Sequence, residues 1–225
     1  MPKQMFLRVA TVAAVFALSG CKIELGALIP ISGLLGQEVK TSTAELYLEV
    51  PSCDSYEDSR QPSQSLIDAK NQISSLFIGS EFKECFKKKF DSFASFTVPV
   101  AYGPDGKVKD SSAQLRVLYN EKKFAYFEAS SDLKEKLEQI KNKPSIAGGF
   151  NPSDVSIFIT LVNDTGHDIK SGYAGVYLGN TPVIQGNGIG IPNGKQVTLK
   201  LSDVTTSVIF EKTQNNYAWF MTDIQ

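Results

Sequence analysis

The sequence predicts an α+β protein: an N-terminal region of mixed helices and strands, then a small C-terminal antiparallel β-sandwich of Ig-like architecture. Three observations carry this. Helical spacing of apolar residues recurs before residue 144, in "SLIDAKNQISSLF" and "SDLKEKLEQIKNKP". Beyond residue 153 the texture changes to six short apolar segments separated by turn sequences. Between them lies "PSIAGGFNPS" (144–153), small-residue sequence flanked by Pro144 and Pro152, which resist helix and central strand. The expected organisation is a connecting segment over 21–43, an α+β domain over 44–146 and a sandwich over 150–225.

Residues 22–43 are apolar and small, unlike the Ser/Gly-rich composition of a flexible tether. "IELGALIPI" reads as a strand. Packing on the folded body and lying on a lipid surface are both open, and the apolar content favours the first. In "AELYLEV" (44–50), Leu46, Leu48 and Val50 alternate with Glu45, Tyr47 and Glu49, the period of a half-buried strand ended by Pro51. "DSYEDSRQPSQS" is a polar loop. Leu66, Ala69, Ile73, Leu76 and Phe77 then share one helix face, closed by Gly79. Phe82, Phe86, Phe90 and Phe93 recur at intervals of four, four and three, which predicts a second short helix with an aromatic, core-facing stripe.

"FTVPVAY" (96–102) is strand-like, and Pro99 predicts an edge or bulged strand. Leu115, Val117 and Tyr119, a turn at Asn120–Lys122, then Phe124 and Tyr126 predict a hairpin. The helix that follows carries Leu133, Leu137 and Ile140 on one face, with Ser131 as cap and Pro144 as stop. The six strands expected of the sandwich are "VSIFITLVN", "YAGVYLG", "TPVIQG", "QVTLKLS", "TSVIFEK" and "YAWFMTD".

The N-terminus has a character of its own. "MPKQMFLR" carries Lys3 and Arg8 and no acid, and "VATVAAVFAL" (9–18) is uncharged. Ten residues are too few to span a bilayer as a helix, which takes about 20. A basic head, a short apolar body and a small-residue end describe a secretory signal peptide. Its end, Leu18-Ser19-Gly20-Cys21, resembles the lipobox of bacterial lipoproteins. That resemblance implies diacylglycerol on the Cys21 sulfur, cleavage just before it with Leu18, Ser19 and Gly20 as recognition residues, and loss of residues 1–20. It also implies a cell-envelope address, by default the periplasmic face of the outer membrane, since Lys22 rather than Asp follows the cysteine. Cys21 is then an anchor and not a nucleophile.

Setting Cys21 aside leaves Cys53 and Cys85, 32 positions apart. Two thiols in an oxidising compartment pair more often than not. A loop of that size stabilises a fold by roughly 3–4 kcal/mol in the chain-entropy treatment. A redox or metal pair is the alternative, but CxxC spacing is absent and no histidine lies nearby.

Removing Lys3 and Arg8 from the 23 basic residues leaves 21 against 24 acidic ones, a net charge of −3. That weak acidic balance argues against nucleic acid as a partner. No catalytic constellation stands out. The single histidine, His167, sits in the polar turn "NDTGHD" beside Asp164 and Asp168, without a nucleophile setting. Asn163, Asp164 and Asp168 miss the spacing of a calcium loop. "GNGIGIPNG" (186–194) leads into a strand, so hairpin turns describe it better than a phosphate cradle. Lys87-Lys88-Lys89 reads as the solvated face of a helix, with anionic lipid as the alternative. No cofactor and no metal are expected.

"LEVPSC…SLFIG…ECFKKKFDSFASFTVPV", two cysteines flanking a helix behind a lipobox, resembles uncharacterised lipoproteins of Proteobacteria and their prophages over residues 21–100; it transfers no site residue. The expected function is a non-enzymatic, membrane-anchored interaction or structural module with an outer-membrane protein as a partner. A prophage-type lipoprotein that blocks an outer-membrane receptor and a lipid or small-ligand carrier are the alternatives.

Overall fold

Strand β1 (Ile23–Pro30) alternates as its sequence directs: Ile23, Leu25, Ala27 and Ile29 are buried, and the residues between them are not. Burying each of the larger side chains contributes about 1.5–3 kcal/mol. Both edges of this strand are occupied. On one side β2 (Lys40–Val50) pairs antiparallel, with Ile23 opposite Leu48; on the other β7 (Val155–Val162) pairs parallel over all eight residues, Ile23 opposite Val155. The first strand of the described residues is therefore a central one. This computed structural model describes residues 22–109, 111–141, 154–211 and 218–222.

The remaining elements follow in order. A single helical turn, α1 (Ile31–Leu34), joins β1 to β2. Helix α2 (Gln64–Leu76) precedes the hairpin β3 (Glu81–Lys88) and β4 (Asp91–Pro104). A further turn, α3 (Asp105–Val108), leads to the hairpin β5 (Leu115–Tyr119) and β6 (Phe124–Ala129), then α4 (Ser131–Lys141). After β7 come β8 (Ile169–Leu178), β9 (Thr181–Ile191), β10 (Gln196–Leu201), α5 (Asp203–Phe210) and β11 (Ala218–Thr222).

The pairings close on themselves in the order β7, β1, β2, β4, β5, β6, β11, β8, β10 and back to β7, a nine-stranded barrel, with β3 added on β4 and β9 on β8. Closure uses a bent β8: Gly172 and Tyr173 meet β11, Val176–Leu178 meet β10, and Gly175 lies between at φ +62, where a side chain would be strained. The interior is filled, with Tyr173, Phe96, Phe127 and Phe220 fully buried among the aliphatic residues of both halves of the chain.

The architecture corrects the expected α+β fold with an Ig-like sandwich. Strands of the second half spend their edges on the first: β7 on β1, and β11 on β6. They belong to one mostly β barrel that also holds the first half. The segment 144–153, where a boundary was expected, lies outside the described residues.

Three local expectations also change. The aromatic stripe of Phe82, Phe86, Phe90 and Phe93 is no helix; β3 and β4 form a hairpin, with Phe82 opposite Phe96 and Phe86 opposite Phe93. An interval of four is compatible with a strand as well as a helix, so the spacing itself was ambiguous; a bulge between Phe82 and Glu84 then puts Phe82 and Phe86 on opposite faces of β3. "TSVIFEK" was expected as a strand; it lies largely in α5, which buries Thr206, Ile209 and Phe210 at helical spacing behind a Ser202 cap that accepts from Thr205 N–H. "GNGIGI" makes no hairpin of its own, because β9 runs through it to Ile191 along β8. The turn comes later, with Gly194 at φ +70.

Other elements match their sequence. Helix α2 is capped by Ser63 and buries Leu66, Ala69, Ile73 and Leu76. Helix α4 buries Leu133 and Leu137, and its cap is Ser130, which accepts from Leu133 N–H, rather than Ser131. Pro99, by contrast, does not make β4 the expected edge or bulged strand: β4 is paired with β2 along one edge and with β3 then β5 along the other, and Pro99 falls in the gap between Thr97 and Val100 where the second edge is locally uncovered.

Candidate functional site

Two ends of β4 offer the features that a ligand, membrane or partner could use. At the first end the chain enters the barrel. Lys22 is tied to Glu49 twice: its carbonyl accepts from Glu49 N–H at 2.9 Å, and its N–H donates to the Glu49 carboxylate at 3.2 Å. Glu49 lies opposite Phe93, and Phe93 opposite Phe86. One row thus runs from Lys22, just before β1, across β2 and β4, to β3. At ~4.8 Å per strand, about 14 Å separates its ends. From this row β3 continues through Lys87 and Lys88 into a tight turn at Lys89 and Phe90, and Lys88 faces Asp91 on the return.

The disulfide joins this end together. Cys53 and Cys85 are bonded, with 5.6 Å between their Cα atoms. The expected pairing is present, though Cys85 lies on a strand. The bond ties the polar loop after β2 to β3, across which Tyr47, Phe86 and Phe93 pack ring against ring at 6.0 and 5.9 Å. Lys70 of α2 lies over the Phe82 ring at 3.8 Å and secures β3 from the other side.

At the other end of β4 a groove of about 850 Å³ opens between α1, α3 and the β5–β6 turn, lined by Gln37, Asp105, Lys107, Lys109, Tyr119 and Lys122 among others. Lys107 reaches the carbonyl of Gln37 at 2.7 Å, and Lys109 pairs with Asp105 at 2.8 Å. Its lining mixes Lys107, Lys109 and Lys122 with Asp105 and Glu121. Sequence spacing did not mark this groove as a site; of the hairpin tip it singled out Lys87-Lys88-Lys89, with anionic lipid as the alternative to a solvated face.

A family described as a domain of unknown function, DUF7424, matches residues 29–223, nearly the whole chain. The chain belongs to the DUF7424 family. No curated protein and no solved structure matches it. The DUF7424 match starts at Ile29, inside β1, and takes in every later strand of the barrel.

The remaining candidate residues of this DUF7424 chain have structural employment. Asp164 accepts from the N–H of Ser32 at 2.8 Å and from its hydroxyl. Burial pushes the Asp164 carboxyl up, but the Ser32 hydrogen bonds outweigh it and hold the group below its ordinary value. Asp168 accepts from Asn193 N–H at 2.9 Å. Asn163, fully buried, donates to the carbonyls of His167 and Ile191 at 2.8 and 2.7 Å. These contacts pin the turn around His167 to its neighbours. Gly186–Gly194 belongs to β9 and the following turn rather than to a cradle. Lys87 and Lys88 lie on a strand, and Lys89 in the turn, not on a helix. Leu18, Ser19, Gly20 and Cys21 lie outside the described residues.

Proposed function

We propose that this chain is a non-enzymatic lipoprotein of the bacterial envelope, anchored through a lipid on Cys21, whose barrel acts as an interaction or structural module at the outer membrane. The observation that carries the reading is the distance between anchor and fold. Ile23, two residues beyond Cys21, is 1% exposed and already paired on both edges. Two or three acyl chains hold a protein stably at a membrane. With no tether between, a lipid on Cys21 seats the barrel against the headgroups, entry end down. The groove at the far end of β4 then faces away from the bilayer, toward a protein partner. Much of the apolar and aromatic content lies in the barrel core, which leaves less to favour a ligand carrier.

Intact mass spectrometry of the membrane-extracted protein tests the anchor. The expected species begins at Cys21 and carries acyl mass; Cys21→Ser leaves an uncleaved, unacylated precursor. Fatty-acid label on the Cys21→Ser protein would overturn the reading.

A further inference from the structure

We infer that the β3–β4 hairpin tip, Lys88-Lys89-Phe90, is a second membrane contact that inserts an aromatic ring among anionic lipid headgroups. The inference rests on the lipoprotein reading for its orientation and on the hairpin for its chemistry. Phe90 is completely exposed (102%), at the apex of a two-residue turn whose other member, Lys89, sits at φ 59. A phenyl ring held out from the surface with no side-chain cover is disfavoured in water and suited to the boundary between headgroups and acyl chains.

Its charged neighbours divide in two. Lys87 lies 4.0 Å from Asp54, and Asp91, which follows the ring, stands opposite Lys88 in the ladder. Lys88 and Lys89 make no ion pair with a described residue and directly precede Phe90. Lysines along an added strand also protect its open edge from pairing with another chain, which accounts for Lys83 and Lys87. That role does not account for Phe90, which protection would exclude.

Placement supplies the occupant. The hairpin extends roughly 10 Å past the Lys22 row, and Lys22, next in sequence to Cys21, lies in that row at the same end. The tip and the residue that adjoins the proposed anchor therefore share one end of the sheet. Lipid on Cys21 fixes one point; the tip about three strands away fixes a second, and together they hold the barrel upright. Tyr56, also fully exposed (105%), lies in the loop that the disulfide ties to β3 and adds a second aromatic at this end.

The test uses the full chain purified from membranes, with Trp219→Phe and Phe90→Trp so that the tip carries the only indole. It is placed on vesicles of phosphatidylcholine alone or mixed with phosphatidylglycerol, with brominated acyl chains as quencher. The expected result is a blue-shifted, quenched indole on the anionic vesicles and a water-like one on phosphatidylcholine. Lys88→Glu with Lys89→Glu should abolish the difference while thermal melting stays unchanged. A water-like, unquenched indole on anionic vesicles, or equal quenching on both, overturns the inference. The same preparation's intact mass reports the anchor separately. If Cys21 carries no lipid, binding to anionic vesicles at low salt is read instead. Each lysine near an anionic surface then contributes roughly fivefold in affinity; binding lost in the charge-reversed variant supports the tip, and no binding overturns it.

Discussion

Ser32 donates both its backbone N–H and its hydroxyl to the carboxylate of Asp164, 132 positions further along the chain. Ser32 lies in the turn α1 after β1, and Asp164 follows β7, so the contact clasps the far ends of two parallel neighbours. Asp164→Ala should lower stability by about 1 kcal/mol, the usual cost of removing such a cap. The sign of its pH dependence follows from the lowered carboxyl. Wild-type advantage is full above the ordinary carboxylate range and fades as pH falls through the depressed value. Urea midpoints of wild type and Asp164→Ala should differ at neutral pH and converge in strong acid; a constant gap would show that the charge is not the source.

The Cys53–Cys85 bond secures a strand whose one ladder partner among the described residues is β4. Replacing both cysteines by serine should cost roughly 2–4 kcal/mol. Amide exchange should accelerate first at Glu84–Lys87, while β1 and β7 stay protected. Peptide mapping without reductant should recover the two cysteines in one linked species, and free thiols at both positions would contradict the bond.

Residues 150–225 expressed alone should not fold. Within that fragment β7 lacks β1, and β11 lacks β6, so open edges and one side of the barrel core face water. Near-UV circular dichroism should show no fixed aromatic signal for Trp219 and Phe220. Cooperative melting of the fragment would contradict a shared barrel.

The sequence by itself determined the elements whose information is local. Helices α2 and α4 were readable because their apolar faces recur at a period no strand shares over that length. The β5–β6 hairpin was readable because short alternating runs flank one polar turn. The cysteine pairing followed from counting. Helix α5 carried a legible start in Ser202 and Asp203 that its β-branched residues obscured. The tertiary structure alone decided the rest. Alternation states which face of a strand is buried and not which strand lies beside it, so nothing in Ile23–Pro30 names Val155–Val162 as its parallel partner. Whether Phe82 and Phe86 sit on a helix or a strand was settled by β4, which offers Phe96 and Phe93 opposite them, because a repeat of four satisfies both periods and only a neighbour breaks the tie.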